Sequence, residues 1–289
     1  MTRAWSWIFS MVALGAFALL TGIFIVQSVP VWQHESWGYV TGAKWFFRQK
    51  QFGALPMIYG SAAVSIVAIV LAAPLGICAA IFTSEYLPKT ARLALKVIIE
   101  LLAGVPSVVY GLLGILLLRD WIYELFARFD PLSGDTLLTA GVLLAVMVLP
   151  TVVTLSDDAL RSVPATQRRA ARALGLTRGE TVLHIALPQA RRGLGAALLL
   201  ALGRALGETI AVFLVVGRQD NHLPSQWLAL RPLLESGQTL TSKLGSSETN
   251  IGYGDPLHWA AIVGLGLILF VLTGGLTVLA TGFGKTSDA

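Results

Sequence analysis

Arg204 and Glu208 are the side chains with the most chemistry to offer, because they stand four residues apart in GRALGETIA, residues 203–211 of an otherwise apolar segment. A guanidinium presents a planar fork of donors to an oxyanion and stays charged at any relevant pH, whereas a carboxylate accepts a hydrogen bond from a protonated ligand oxygen. From Gly193 to Val216 only Arg204, Glu208 and Thr209 interrupt the apolar run, which at about 24 residues is long enough to cross a bilayer as a helix. Arg204 then falls near the midplane, where each ionised side chain costs about 2.5 to 3.5 kcal/mol to insert. A four-residue spacing places both charges on one helix face, so they are able to neutralise each other. Arg precedes Glu, however, which is the less favourable order for an intrahelical pair. Gly203 and Gly207 form a small-xxx-small strip beside the charges, which admits close approach of a second helix. Two readings follow: a self-neutralising pair, or a charged site facing a partner helix or cavity, and the glycine strip favours the second.

The elements that must hold this segment are set by composition. Of 289 residues, 55% are hydrophobic and only 13% charged, and the mean hydropathy is +0.72. These values exclude an ordinary soluble domain and describe a polytopic membrane protein. The formal charge of +5 is not a nucleic-acid signal, because the cations cluster in loops between apolar runs. One cysteine, Cys78, lies in an apolar run, and four scattered histidines give no metal-ligand spacing. No nucleophile with a positioned base and no paired carboxylates within a span point to an enzyme. The first apolar stretch, 4–29, is too long for a signal-peptide core and is expected to remain as a helix.

Six candidate spans emerge, 5–29, 57–83, 97–118, 136–156, 193–216 and 258–283, so the expected fold is all-α with six transmembrane helices in one permease domain, 1–289. An even number places both termini on one side. Lys89, Arg92 and Lys96 follow the second span, and Arg161, Arg168, Arg169, Arg172, Arg178, Arg191 and Arg192 lie between the fourth and fifth. By the positive-inside rule these loops and both termini are cytoplasmic. Lys44, Arg48 and Lys50 oppose that assignment in the first outer loop, so the arginine-rich loop decides it. Trp32, Trp37, Trp45, Trp121 and Trp227 fall in outer loops, where some of them can serve as interfacial anchors. The third span opens on Gly104-Val105-Pro106-Ser107, and Pro106 must kink or restart the helix there. Loop 217–257 is polar and rich in Gly, Ser and Thr, and reads as a solvated surface loop open to an external partner.

The loop 157–192 is too long for a plain connector. Pro164 suits a first helical turn, Gly175 is placed to end the helix that follows, and Thr177 with Glu180 forms a capping box for a second helix through Val182, Leu183 and Ile185. Pro188 is expected to interrupt that helix before the charged span. As a basic amphipathic loop it also suits contact with anionic lipid.

Arg169-Ala170-Ala171, then Gly175 four residues after Ala171, then Ile185, Leu187 and Pro188, closely resemble the EAA loop of ABC importer permeases. In that family the loop is a coupling helix that docks into the cytoplasmic ATPase. Arg169 stands where the motif usually carries Glu. GRALGETIAV at 203–212 and GVPSVVYG at 104–111 resemble the phosphate importer permeases, the PstC and PstA pair, and the second motif and the Arg204-Ala205-Leu206-Gly207-Glu208 spelling are closer to PstC. The resemblance implies a type I importer permease, a sister PstA-like permease, a PstB-like ATPase dimer, and a periplasmic PstS-like phosphate-binding protein in the bacterial inner membrane. It implies ATP and Mg²⁺ on the ATPase, since this chain has no GxxxxGK[ST] loop. Arg204, Glu208 and Thr209 would line the path. Permeases for sulfate, molybdate or phosphonate share the elbow, and a secondary transporter with Glu208 relaying protons is the alternative from another class.

Overall fold

The computed structural model describes residues 2–224 and 230–285. Its helices, in order, are α1 (Thr2–Glu35), α2 (Gly38–Thr41), α3 (Leu55–Ile81), α4 (Lys89–Ala103), α5 (Ser107–Leu113), α6 (Arg119–Leu125) and α7 (Leu137–Arg161). They continue with α8 (Ala165–Ala173), α9 (Arg178–Thr181), α10 (Leu187–Leu206), α11 (Ile210–Val215), α12 (Leu240–Leu244), α13 (Glu248–Gly252) and α14 (Pro256–Lys285). Between α2 and α3 a short antiparallel pair, β1 (Trp45–Phe46) and β2 (Gln51–Phe52), aligns Trp45 with Phe52.

The centre of the bundle is α3 against α7, with α10 lying across both. Ala63, Val64, Ala68 and Ala72 meet Ala140, Leu144, Val148 and Val152, all buried. Alanine-rich faces suit a membrane interior, where helices gain by close backbone approach rather than by leaving water. Helix α14 packs on α10, and α1 packs on α14; the Phe17 and Phe270 rings lie 5.5 Å apart. A second core of Val31, Tyr39, Trp45, Phe52, Met57, Leu240 and Leu265 closes one end of the bundle. There the Tyr39 hydroxyl donates to the Ala261 carbonyl at 2.6 Å, and burial holds its phenol well above the ordinary tyrosine range.

Several expectations change. Among the described residues, four helices are long and apolar enough to cross a membrane, or five if one bent pair counts as a single span, so six is not confirmed. The bent pair is the expected third span: its halves, Thr90–Ala103 and Ser107–Leu125, meet at 84°. Pro106 does not merely kink the helix; it caps a new one, and the Tyr110 hydroxyl reaches back to the Leu102 carbonyl at 2.9 Å. The expected fifth span is interrupted after Leu206. Trp45 is a core residue, 3% exposed, rather than an interfacial anchor. Trp37 and Trp121 are exposed as expected, Trp32 packs edge-on against Tyr39 at 5.2 Å, and Trp227 lies outside the described residues.

The largest departure concerns the loop read as solvated. Its middle, Gln238, Thr239, Leu240, Thr241, Ser242 and Lys243, is buried throughout. Its polar groups satisfy one another: Thr239 and Ser242 form a reciprocal cap at the start of α12, and Ser61 of α3 accepts from the Leu240 N–H at 2.9 Å. Gly60 makes the insertion possible, since a Cβ there would collide with the Gln238 carbonyl. Polar composition disguised a segment whose hydrogen bonds are internal.

Candidate functional site

Helix α10 starts at the elbow and ends at Leu206 because Gly207 and Thr209 are poor helix formers in succession. Gly207 adopts φ −82°, ψ −7° and Thr209 φ −105°, ψ −60°. The Glu208 N–H bonds back three residues to Ala205, and the helix resumes as α11 once Phe213 bonds to Thr209. This break removes the four-residue stacking on which an Arg204–Glu208 pair would depend.

The two charges accordingly diverge. Arg204 is exposed and its Nη1 donates to Thr151 Oγ1 of α7 at 3.0 Å. Among the described residues no ion pair joins it to Glu208. Glu208 instead lines a cavity of ≈ 10 Å³, room for about one water, with Ser61 and Ser65 of α3 and Thr239 and Thr241 of the buried segment. Thr209 lies beside it, its hydroxyl 3.4 Å from the Gly207 carbonyl. A carboxylate faces hydroxyls, and a guanidinium faces outward. Among the described residues no second helix meets the strip at Gly203, where nothing lies within 4 Å of a Cβ. Gly207 opens onto an apolar groove of ≈ 640 Å³ between α1 and α14.

The elbow at the other end of α10 follows the local signals closely. Helix α8 ends on Gly175 at φ +91°, a left-handed position suited to glycine. The Gly175 and Leu176 N–H groups bond to the carbonyls of Arg172 and Ala171, a Schellman ending. The Thr177–Glu180 capping box is present, with Thr177 N–H donating to Glu180 Oε2 at 2.8 Å. This hydrogen bond, and then that from the Thr177 hydroxyl, holds the Glu180 carboxyl below its ordinary value.

Pro188 does not interrupt the chain. A π-helical turn, Val182–Ala186, carries α9 directly into α10, and Leu187 N–H bonds to Val182 O. The wider turn accommodates a residue lacking an N–H and relieves its clash with the preceding turn. Of the motif residues, Ala171 is buried and Leu187 packs onto a small core of Ala80, Leu160, Val163, Ala186, Ala190 and Leu194. Ile185 is half-buried, while Arg169, Ala170, Gly175 and Pro188 face outward. Leu174, 82% exposed, and Leu183 stand out beside them as unpartnered apolar side chains.

Ion pairs that the sequence did not show fix the elbow to the bundle and α4 to α7. Arg168 pairs with Glu85, beyond α3, and also reaches the Leu160 carbonyl at the end of α7. Arg92 of α4 holds Asp157 of α7 through two contacts of 2.8 and 2.6 Å. Arg168 is therefore internal rather than free for lipid. The only clue to these pairs was the presence of acids in otherwise basic, apolar surroundings.

With this geometry in place, comparison with known proteins is informative. Residues 72–284 match the family described as the binding-protein-dependent transport system inner membrane component. The chain is 34% identical over 282 residues to the phosphate transport system permease protein PstC of Mesorhizobium japonicum, covering 90% of this chain and 83% of that one. It is 36% identical over 249 residues to PstC 1 of Mycobacterium tuberculosis, covering 80% and 72%. In fold it is similar to a solved structure of the MetNI methionine ABC transporter in inward-facing conformations, with a TM-score of 0.55, 19% identity, and coverage of 78% and 94%.

Proposed function

From the premise that this chain belongs to the family of binding-protein-dependent transport system inner membrane components, we propose that it is a phosphate permease of the PstC type, which conducts the oxyanion across the bacterial inner membrane. Such a permease works with a substrate-binding protein and a partner ATPase. In this reading the sister permease is PstA-like, the ATPase a PstB-like dimer and the binding protein PstS-like. ATP and Mg²⁺ belong to the ATPase, and this chain is a single, non-catalytic domain.

One observation carries the reading. An exposed guanidinium, bonded to Thr151, sits one turn before a helix break, and a carboxylate at the break lines a small cavity with hydroxyl side chains. A charge so placed calls for an aqueous path or a facing subunit. Arg204 supplies donors to phosphate oxygens, and Glu208 accepts a hydrogen bond from the P–OH that phosphate retains near neutral pH and sulfate lacks. Outer and inner ends follow from the elbow: Arg169, Leu174 and Leu183 face the ATPase, and both termini lie on that cytoplasmic side. Six traversals are made, two of them by the broken helices α4–α6 and α10–α11.

The test is ATP-dependent uptake of labelled phosphate, with sulfate as competitor, by the whole complex in vesicles. Arg204→Gln is expected to assemble, to retain ATP hydrolysis stimulated by the binding protein, and to lose uptake by about tenfold or more, the worth of a charge-assisted contact. Undiminished phosphate uptake by the variant overturns the role of Arg204, and import of sulfate in preference to phosphate overturns the substrate.

A further inference from the structure

Beyond Glu208, at the end of the bundle remote from the elbow, lies a second polar cavity of ≈ 550 Å³. Its wall includes Arg218, Asp220, Gln238, Lys243, Ser247 and Glu248. Lys243 is 3% exposed and is held between carboxylates, 2.6 Å from Asp220 Oδ2 and 2.5 Å from Glu248 Oε2. Its ammonium also lies 5.3 Å from the centre of the Trp45 ring. Arg218 enters the wall by a backbone turn in which Gly217 at φ +83° is followed by Arg218 itself at φ +53°. A non-glycine residue held there is uncommon, and such strain gathers at ligand sites. The Arg218 guanidinium lies over the Phe213 ring at 4.7 Å and remains exposed.

The wall is balanced. Two cations, Arg218 and Lys243, face two carboxylates, Asp220 and Glu248. Lys243 is already saturated by acids, which leaves the exposed Arg218 as the available cationic donor. Asp220 Oδ1 is sealed from solvent, so the carboxylate, with its side chain 33% exposed, meets a cavity ligand through Oδ2, which keeps acceptor capacity beside its contact with Lys243. A donor fork and a carboxylate oxygen with acceptor capacity left together match a tetrahedral oxyanion that still carries a proton. The absence of net charge suits passage, since a transit site must admit an ion and also release it.

The cavity is joined to Glu208 by one stretch of chain. Gln238 lines the outer cavity, and Thr239 and Thr241 line the small one around Glu208. The buried segment 238–241 is therefore the partition between them. We propose that the outer cavity is a transit site for hydrogen phosphate, where Arg218 donates to the anion and Asp220 Oδ2 accepts a hydrogen bond from its P–OH group, and that segment 238–241 separates it from Glu208 until the permease opens. This rests on the phosphate-permease reading and adds to it a receiving site ahead of Arg204 and Glu208.

Two measurements on the reconstituted full complex test it. First, Arg218→Gln is expected to lower phosphate uptake about tenfold, while ATP hydrolysis stimulated by loaded binding protein stays within about twofold of the parent, and Arg218→Lys to restore part of the uptake. Unchanged uptake overturns the site, and a parallel fall in ATPase stimulation makes Arg218 a docking residue and overturns it as well. Second, Ser247→Cys places a thiol in the exposed part of the wall, and its reaction with a membrane-impermeant reagent is read on this chain by mass. Millimolar inorganic phosphate is expected to slow labelling at least threefold and equal sulfate to leave it unchanged. A rate insensitive to phosphate, or equally slowed by sulfate, overturns the proposal. Failure of the parent complex to import phosphate instead overturns the underlying functional reading.

Discussion

In the proposed permease, Glu208 is the residue whose surroundings would most sharply divide phosphate from other oxyanions. Its small cavity is lined also by Ser61, Ser65, Thr239 and Thr241, and among the described residues no cation pairs with its carboxylate. Left ionised it repels a fully deprotonated dianion such as sulfate and tolerates a ligand that brings its own proton. Glu208→Gln removes that repulsion at constant shape. Its expected outcome is sulfate import rising several-fold relative to phosphate, measured by competitive uptake in the assembled complex; an unchanged ratio removes Glu208 from selectivity. The two charges were legible because ionised residues in an apolar run are costly and demand a reason. Their partners were not. Thr151 and the serines of α3 are hydroxyl side chains that hydropathy passes over, and the four-residue spacing suggested a pair only because the helix was assumed to be continuous through Gly207.

The elbow shows how far local rules reach. Gly175, Thr177 and Glu180 ended and began helices as their chemistry requires, since each acts on backbone groups within a few residues. Pro188 was misread because a π-turn satisfies the geometry that an α-helix would refuse it. Segment 238–243 was misread because its polar groups find partners on α3 and within its own cap, and sequence does not show partners distant along the chain. Arg168 and Glu85 are another such distant pair, with side chains 14% and 5% exposed. Removing one partner from a largely buried pair typically costs about 3 to 5 kcal/mol. Arg168→Met or Glu85→Met should lower the melting temperature of the purified complex, and the double variant should lose less than the sum of the two. Strict additivity would show the pair to be uncoupled. The cap titrates with the opposite dependence on exposure, being wholly at the surface. Because Glu180 has its carboxyl lowered in the folded chain, its contribution is complete above the ordinary carboxylate range, roughly pH 4.3, and is lost as pH falls through the lowered value. Amide exchange at Thr177 and Glu180, corrected for intrinsic rates, should lose protection in that acid window and not between neutral pH and pH 6.

At the scale of the molecule, one helical route joins the elbow to both polar cavities. Helix α9 passes through the π-turn into α10, which spans roughly 30 Å at 1.5 Å per residue and ends at the break carrying Glu208; α11 then leads to Arg218. The elbow is clamped to α3 and α7 by Arg168, while α10 lies across those same helices. Displacement at Leu183 thus reaches the break through a continuous helix rather than through a loop. What the break does with that displacement distinguishes two mechanisms. If Gly207–Thr209 is a hinge, movement of α10 reorients Glu208 relative to the buried segment 238–241 and opens the partition. If it is a rigid corner, α10 and α11 move as one body and the partition must open by other means. Gly207→Ala raises local helix propensity by about 1 kcal/mol and introduces a Cβ whose nearest neighbours are backbone carbonyls at 3.6 Å, so it stiffens without a clash. For a hinge, the variant should hydrolyse ATP in response to loaded binding protein at close to the parent rate and import several-fold less phosphate per ATP. Unchanged stoichiometry would make the corner rigid, and would move the search for the opening element to the Gly104–Pro106 bend, where Gly111 of α5 already packs against Ala211 and Leu214 of α11.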